Sequence, residues 1–146
     1  MKNPLLATSN DNEKVWADTE TRAFYTDLLT KALKTIPETG AAMVLGPMFI
    51  IRSPEENFAI FTKAQNKLSE KGITIFNQLP FVDYIIVHAP YNYATKFEIF
   101  YKGLIESGKI SACYLLPDWE KSTGTVSEIE YCKKAGVPVH KIEEVE

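Results

Sequence analysis

The segment from Ile110 to Leu116 narrows the fold more than any other. It is apolar almost throughout. An unbroken apolar run of strand length suits a strand covered on both faces, as at the centre of a parallel sheet. Leu115-Leu116-Pro117 ends the run, and a polar, glycine-containing turn follows through Asp118, Trp119, Ser122 and Gly124. A helical pattern then starts at Thr125, runs to Ala135 and closes on Gly136. A strand that turns directly into a helix leaves the first amides of that helix unpaired in a crevice, where they can hold a phosphate or support a charged nucleophile. Glu128 sits one turn inside this helix. From helix position alone it reads as a solvated carboxylate near a helix N-terminus; the turn beside it offers a second reading, a side chain aimed at a ligand.

The rest of the chain repeats the alternation. Thr19 is placed to cap a helix running to about Ile36, with Phe24, Leu28, Leu29, Ala32, Leu33 and Ile36 at helical spacing and Pro37 and Gly40 to end it. Ala41 to Leu45 reads as a buried strand stopped by Gly46-Pro47, with a loop from Met48 to about Pro54. Glu55 to Lys71 is a helix with Phe58, Phe61, Ala64 and Leu68 on one face, and Ile73 to Phe76 is a second strand. A long loop from Asn77 passes Pro80 and Pro90 and holds a short strand or buried segment at Tyr84 to Val87. Ala94 to Ser107 is a helix ended by Gly108, and Val137 to Ile142 a last strand before an acidic tail.

Strands alternating with helices predict an α/β domain, a flavodoxin-like or Rossmann-like parallel sheet of four or five strands with helices on both faces. Residues 1–40 are expected to be an N-terminal extension with one helix, irregular to about residue 17, and residues 41–146 the domain. Ligands of such folds bind beyond the carboxyl ends of the strands. That rule brings the Gly46-Pro47-Met48 turn and the Ser122 to Glu128 segment to one edge.

Composition removes several classes of function. A formal net charge of −3 argues against general nucleic-acid binding, which calls for a basic surface. The longest apolar runs are about five residues, far short of a membrane span, and Met1-Lys2-Asn3-Pro4-Leu5-Leu6 lacks the apolar core of a signal peptide. A cytoplasmic protein is expected. The two cysteines, Cys113 and Cys132, have no Cys-x-x-Cys spacing and read as buried thiols in a reducing compartment. His88 and His140 stand far apart, so no metal site and no organic cofactor are implied.

Gly46-Pro47-Met48, Asn57-Phe58, Phe61, Ala64, Leu68, Gly72 and Asn77 resemble the nucleoside 2-deoxyribosyltransferase-like superfamily. Leu115-Leu116-Pro117, Trp119-Glu120-Lys121-Ser122, Gly124 and Glu128 are similar to a small branch of it found in bacteria and their phages. The likeness spans roughly residues 41 to 142. It implies cleavage of the N-glycosidic bond of a (deoxy)nucleoside or its 5′-monophosphate, the sugar passing to water or to another base. Glu128 matches the nucleophilic glutamate that forms a glycosyl-enzyme intermediate, held ionised by the helix macrodipole. Ser122 matches the position that helps hold a 5′-phosphate, so the resemblance points to a nucleotide. Gly124 and Thr125 supply candidate backbone donors, Gly46 allows close backbone approach to a ligand, and Pro47 and Met48 line the pocket. Arg52 and Ser53 are within reach of a phosphate, and Trp119 is either a lid over a base or a packed loop aromatic. Tyr91 and Tyr93 read as surface packing or as a base-stacking pair. A homodimer is implied.

The chain departs from that pattern at three places. Met43 stands where the superfamily has a tyrosine, Asp118 where the branch has a glycine, and a count without gaps puts Leu104 at the aspartate that protonates the leaving base. A missing general acid costs about 10²–10⁴ in rate. Glu98, Asp83 and Asp118 are the candidate replacements. The alternative is a family member whose catalytic set has decayed and which binds or sequesters a nucleotide-derived ligand, or acts through a protein partner as a phage or mobile-element accessory protein.

Overall fold

The computed structural model describes residues 19–89 and 93–145, with the backbone alone over 93–97. The irregular stretch expected before residue 17, Tyr91 and the Tyr93 side chain lie outside the described residues. The chain runs α1 (Thr19–Lys34), β1 (Ala41–Leu45), α2 (Pro54–Glu70), α3 (Leu79–His88), α4 (Tyr93–Glu106), β2 (Ile110–Leu115), a 3-10 turn at Trp119–Lys121, α5 (Thr123–Ala135), β3 (Val139–Lys141) and a 3-10 turn at Ile142–Glu144. The fold is α/β. Among the described residues the sheet has three parallel strands in the order β1-β2-β3, with Leu45 paired to Leu115 and Cys113 to Val139.

That is fewer than the four or five strands expected. Ile73 to Phe76 makes a single parallel bridge, Ile75 to Ala42, held by Ala42 N–H to the Thr74 carbonyl (2.8 Å) and Phe76 N–H to the Ala42 carbonyl (2.9 Å). The segment has no room to extend, because the next residues enter α3, whose first turn takes Pro80 without loss of a hydrogen bond. The last strand is also shorter than expected. Pro138 has no N–H to give a ladder, and its carbonyl instead accepts from Cys113 (2.9 Å).

A second correction concerns Tyr84 to Val87, which belongs to α3 rather than to a loop or strand. Leu79, Val82 and Ile85 turn inward, while Tyr84 and Val87 stay exposed. Apolar residues on both sides of this helix hid its period in the sequence.

Both faces of β1 are covered. Ala41, Met43 and Leu45 join the larger core cluster with residues of α1, α3, α4 and α5, while Val44 packs with Phe61, Ala64 and Leu68 of α2. Alternation along a strand sends neighbours to opposite faces, so the two clusters mark helices on the two sides of the sheet. Helix α1 packs into the larger cluster through Tyr25, Leu28 and Ala32. It lies so close to α4 that a Cβ on Gly103 would come within 2.6 Å of Leu29 Cδ2. Cys113 and Cys132 are both buried, their sulfurs 3.6 Å apart, where β2 meets α5. Among the described residues no helix is long and apolar enough to cross a membrane.

Candidate functional site

The paired ends of β1 and β2 release two loops on the same edge of the sheet. Between them lies a cavity of about 250 Å³, lined by Gly46, Met48, Phe49 and Ile50 from the first loop, by Ser122 to Thr125 and Glu128 from the second loop and α5, and by Leu45, Glu98 and Tyr101. This volume is near the lower end of the range, about 300–1,000 Å³, that small-molecule sites span. One wall is apolar and the other carries carboxyl and hydroxyl groups.

Helix α5 starts at Thr123, before the Thr125 expected from sequence. Ser122 is its N-cap. The Ser122 hydroxyl oxygen accepts from the Thr125 N–H (3.2 Å) and from the Thr125 hydroxyl (2.9 Å), which leaves its own proton to donate. The amides of Thr123 and Gly124 precede the first intrahelical bond, and both residues line the cavity. Glu128 therefore stands in the second turn of α5, where the helix macrodipole has faded, and it is only 5% exposed. The expectation that the dipole keeps Glu128 ionised does not hold. Burial, then the charge of Glu98 and a hydrogen bond with it, push the Glu128 carboxyl well above the usual carboxylate range.

Glu98, from α4, is the carboxyl that meets Glu128. Burial pushes its pKa up to about 7, although the Glu128 carboxyl and the Tyr131 hydroxyl both face it and favour its ionised form. Two carboxyls in contact, one of them buried, resist ionising together, so they titrate as a pair that keeps a proton near neutral pH. Glu98 Oε2 is buried with no hydrogen-bond partner among the described residues. Gly124 makes room for the pair: a Cβ there would lie 3.1 Å from Glu98 Oε1 and 3.9 Å from Glu128 Oε2.

Of the residues singled out from sequence, the structure brings Gly46, Met48, Ser122, Gly124, Thr125 and Glu128 together around the cavity. Gly46 has a packing reason of its own, because a Cβ there would strike the Leu116 side chain at 2.8 Å. Pro47 is buried beside the cavity without lining it, and Trp119 packs against the larger core cluster. Arg52 is engaged elsewhere. Its Nε donates to Asn57 Oδ1 (3.0 Å) and its Nη1 pairs with Asp118 (3.6 Å), tying the loop after β1 to the loop after β2. Ser53 is taken up by the capping box of α2, accepting from Glu56 N–H (3.1 Å). Asp118 adopts φ 67°, a conformation natural to glycine that Asp tolerates.

Asp83 is exposed on α3 and Asp118 is ion-paired, so of the three replacement acids Glu98 alone reaches Glu128. Leu104, where a count without gaps lands, is fully buried in the core, as is Met43. Sequence reasoning missed Phe49 and Tyr101 as lining residues. Tyr101 carried a usable signal, because it follows Glu98 by three places on one helix and so shares its face.

The loop after β1 also holds strain. Ile51 has φ 74°, and Arg52 N–H donates to the Ile50 carbonyl (2.8 Å), a γ-turn centred on a β-branched residue. Buried Asn57 holds it from below, donating to the carbonyls of Ile50 (3.0 Å) and Arg52 (3.3 Å). Strain kept at a cavity rim by a buried clamp is the usual mark of a site whose shape matters.

No curated protein and no solved structure matches the chain. One family model does, across residues 40–141, from the residue before β1 to the last residue of β3, and so takes in both loops and both carboxyls of the cavity. The chain belongs to the family described as Domain of unknown function (DUF4406).

Proposed function

We propose that this protein is an N-glycosidase or deoxyribosyltransferase acting on a (deoxy)nucleoside 5′-monophosphate. The observation that carries the reading is the Glu98–Glu128 carboxyl pair, half-buried Glu98 against buried Glu128, set beside a capped helix N-terminus at the carboxyl edge of a parallel sheet. Moving the shared proton from Glu128 to Glu98 arms the pair. Glu98 gives that proton to the leaving base as the C1′–N bond breaks, and the Glu128 carboxylate bonds to C1′. Water or a second base then takes the sugar, and Glu98 accepts the incoming proton. The Ser122 hydroxyl and the Thr123 and Gly124 amides are the proposed phosphate donors, and Met48, Phe49 and Ile50 face the base.

A flavodoxin-like reading of the sheet belongs to this proposal, supported by the bridge at Ile75 on the outer edge of β1. So does a cytoplasmic homodimer. The reduced, buried cysteine pair suits a reducing compartment, and exposed Ile50 and Ile51 at the cavity rim suit a second copy.

The test is incubation with each deoxynucleoside 5′-monophosphate and chromatography of the released base. Base released by the native chain supports an enzyme. The burial of Glu128 favours one alternative, a sequestering protein in which a neutral Glu128 donates a hydrogen bond to a bound nucleotide. Tight binding with no release from any substrate would establish that alternative and end the catalytic reading.

Gly124→Ala separates site geometry from stability. Alanine is the better helix former by about 1 kcal/mol, so the melting temperature should hold or rise slightly. The new Cβ would lie 3.1 Å from Glu98 Oε1, so that carboxyl must give by a few tenths of an ångström, and kcat/KM should fall, by less than the about 10²-fold that a 1 Å misplacement costs. A variant with native kcat/KM would show that the placement of Glu98 does not matter.

A further inference from the structure

Tyr101 lies at the floor of the cavity, 3% exposed, one turn beyond Glu98 on α4. Its hydroxyl is served unevenly. On the acceptor side it meets the Gln78 amide, itself buried and fixed from other directions: Gln78 Nε2 donates to the Val44 carbonyl, and Gln78 Oε1 accepts from Gln65 Nε2 (3.2 Å). A carboxamide pinned by β1 and α2 holds its remaining N–H in place. On the donor side, among the described residues, the phenol proton meets Met48 Sδ, at 3.7 Å. A thioether is a weak acceptor, and a phenol is a strong donor.

A buried donor facing a poor partner is costly unless something else takes the bond. Met48 is half-buried on the cavity wall, and its long unbranched side chain can swing away. The phenol also keeps its proton. Burial, and then the nearby charges of Glu128 and Glu98, hold its titration well above the ordinary tyrosine range. The site thus stores a hydrogen-bond donor beside the carboxyl pair.

The geometry points to Tyr101 as the residue that recognises the sugar, its hydroxyl leaving Met48 to donate to a sugar hydroxyl oxygen. This rests on the glycosidase reading above, in which the carboxyl pair flanks the anomeric carbon and a donor on the same helix face meets the sugar rather than the base. In a 2′-deoxynucleoside 5′-monophosphate the only sugar hydroxyl is at the 3′ carbon, so that oxygen is the partner.

The experiment compares a 2′-deoxynucleoside 5′-monophosphate with its 3′-deoxy analogue on the full chain and on Tyr101→Phe. In the native chain the analogue should have a kcat/KM about 30-fold lower. Tyr101→Phe should lose about the same factor on the parent substrate and less than about threefold on the analogue. A general loosening of the fold would penalise both substrates alike. If the variant does not fold, the native chain decides: equal turnover of the two substrates overturns the assignment, and a large gap supports it. An active native enzyme with an unimpaired Tyr101→Phe, or one impaired equally on both substrates, overturns the assignment alone. A native chain that releases no base from any nucleotide overturns the glycosidase reading and this assignment together.

Discussion

Glu128→Gln is expected to abolish base release while making the protein harder to melt. An amide cannot form the glycosyl ester, and loss of a nucleophile lowers kcat by at least about 10³-fold. Stability moves the other way. In the native fold Glu128 is buried against a second acid, and the contact favours the protonated pair over the ionised one. A carboxyl whose folded pKa is raised binds its proton more tightly folded than unfolded, so stability falls as pH rises from the unfolded value to the folded one. For Glu98 that window runs from 4.5 to about 7. The span corresponds to a loss on the order of 3 kcal/mol. Glu128, raised in the same direction, adds to the loss from the same lower edge. A glutamine at 128 removes the repulsion and offers its N–H₂ to Glu98. Thermal melts at pH 5 and pH 8 should differ clearly in the native chain and much less in the variant. Retained base release, or a melting temperature lower than native at pH 8, would remove the buried pair from the account.

The second large effect is expected at Glu98. The native pair is doubly protonated below about 7, so the singly protonated, working form builds as pH rises through that value and is lost only when the more deeply buried Glu128 gives up its proton. The rate should climb with an apparent pKa near 7 and fall at higher pH. Glu98→Gln deletes the proton donor and should cost about 10²–10⁴ in kcat. It should also abolish the fall at higher pH, because the variant has no second proton whose loss stops the reaction. A substrate whose base leaves without needing a proton, such as an N7-methylated guanine nucleotide, should recover most of the loss. Equal losses on that substrate and on an ordinary one would mean that Glu98 is no acid.

Some of this was legible in the sequence because it depends on neighbours along the chain. Ala41 to Leu45, the apolar run from Ile110, and the strand-to-helix turn before Glu128 all stand as read, and the strand-end rule placed the two loops together. What was not legible depends on contacts between distant segments. Which carboxyl of α4 faces Glu128 is set by how Phe100, Leu104 and Ile105 pack in the core, not by spacing from β2. Arg52 looked available because Asp118, far along the chain, is its partner. Trp119 stood open between a lid and a packed aromatic because nothing local says that the core has room for it. In α3, apolar residues on either side of Asp83 hide which side faces in.

Helix α1 carries one more consequence. The family boundary falls at residue 40, yet Tyr25, Leu28, Ala32 and Ile36 belong to the same hydrophobic cluster as Phe100 and Leu104. The inherited unit and the physical folding unit therefore have different edges. A protein trimmed to the shared ancestry would shed one lid of its own interior and leave a greasy scar along α4, while Glu98 and Glu128 would still be encoded.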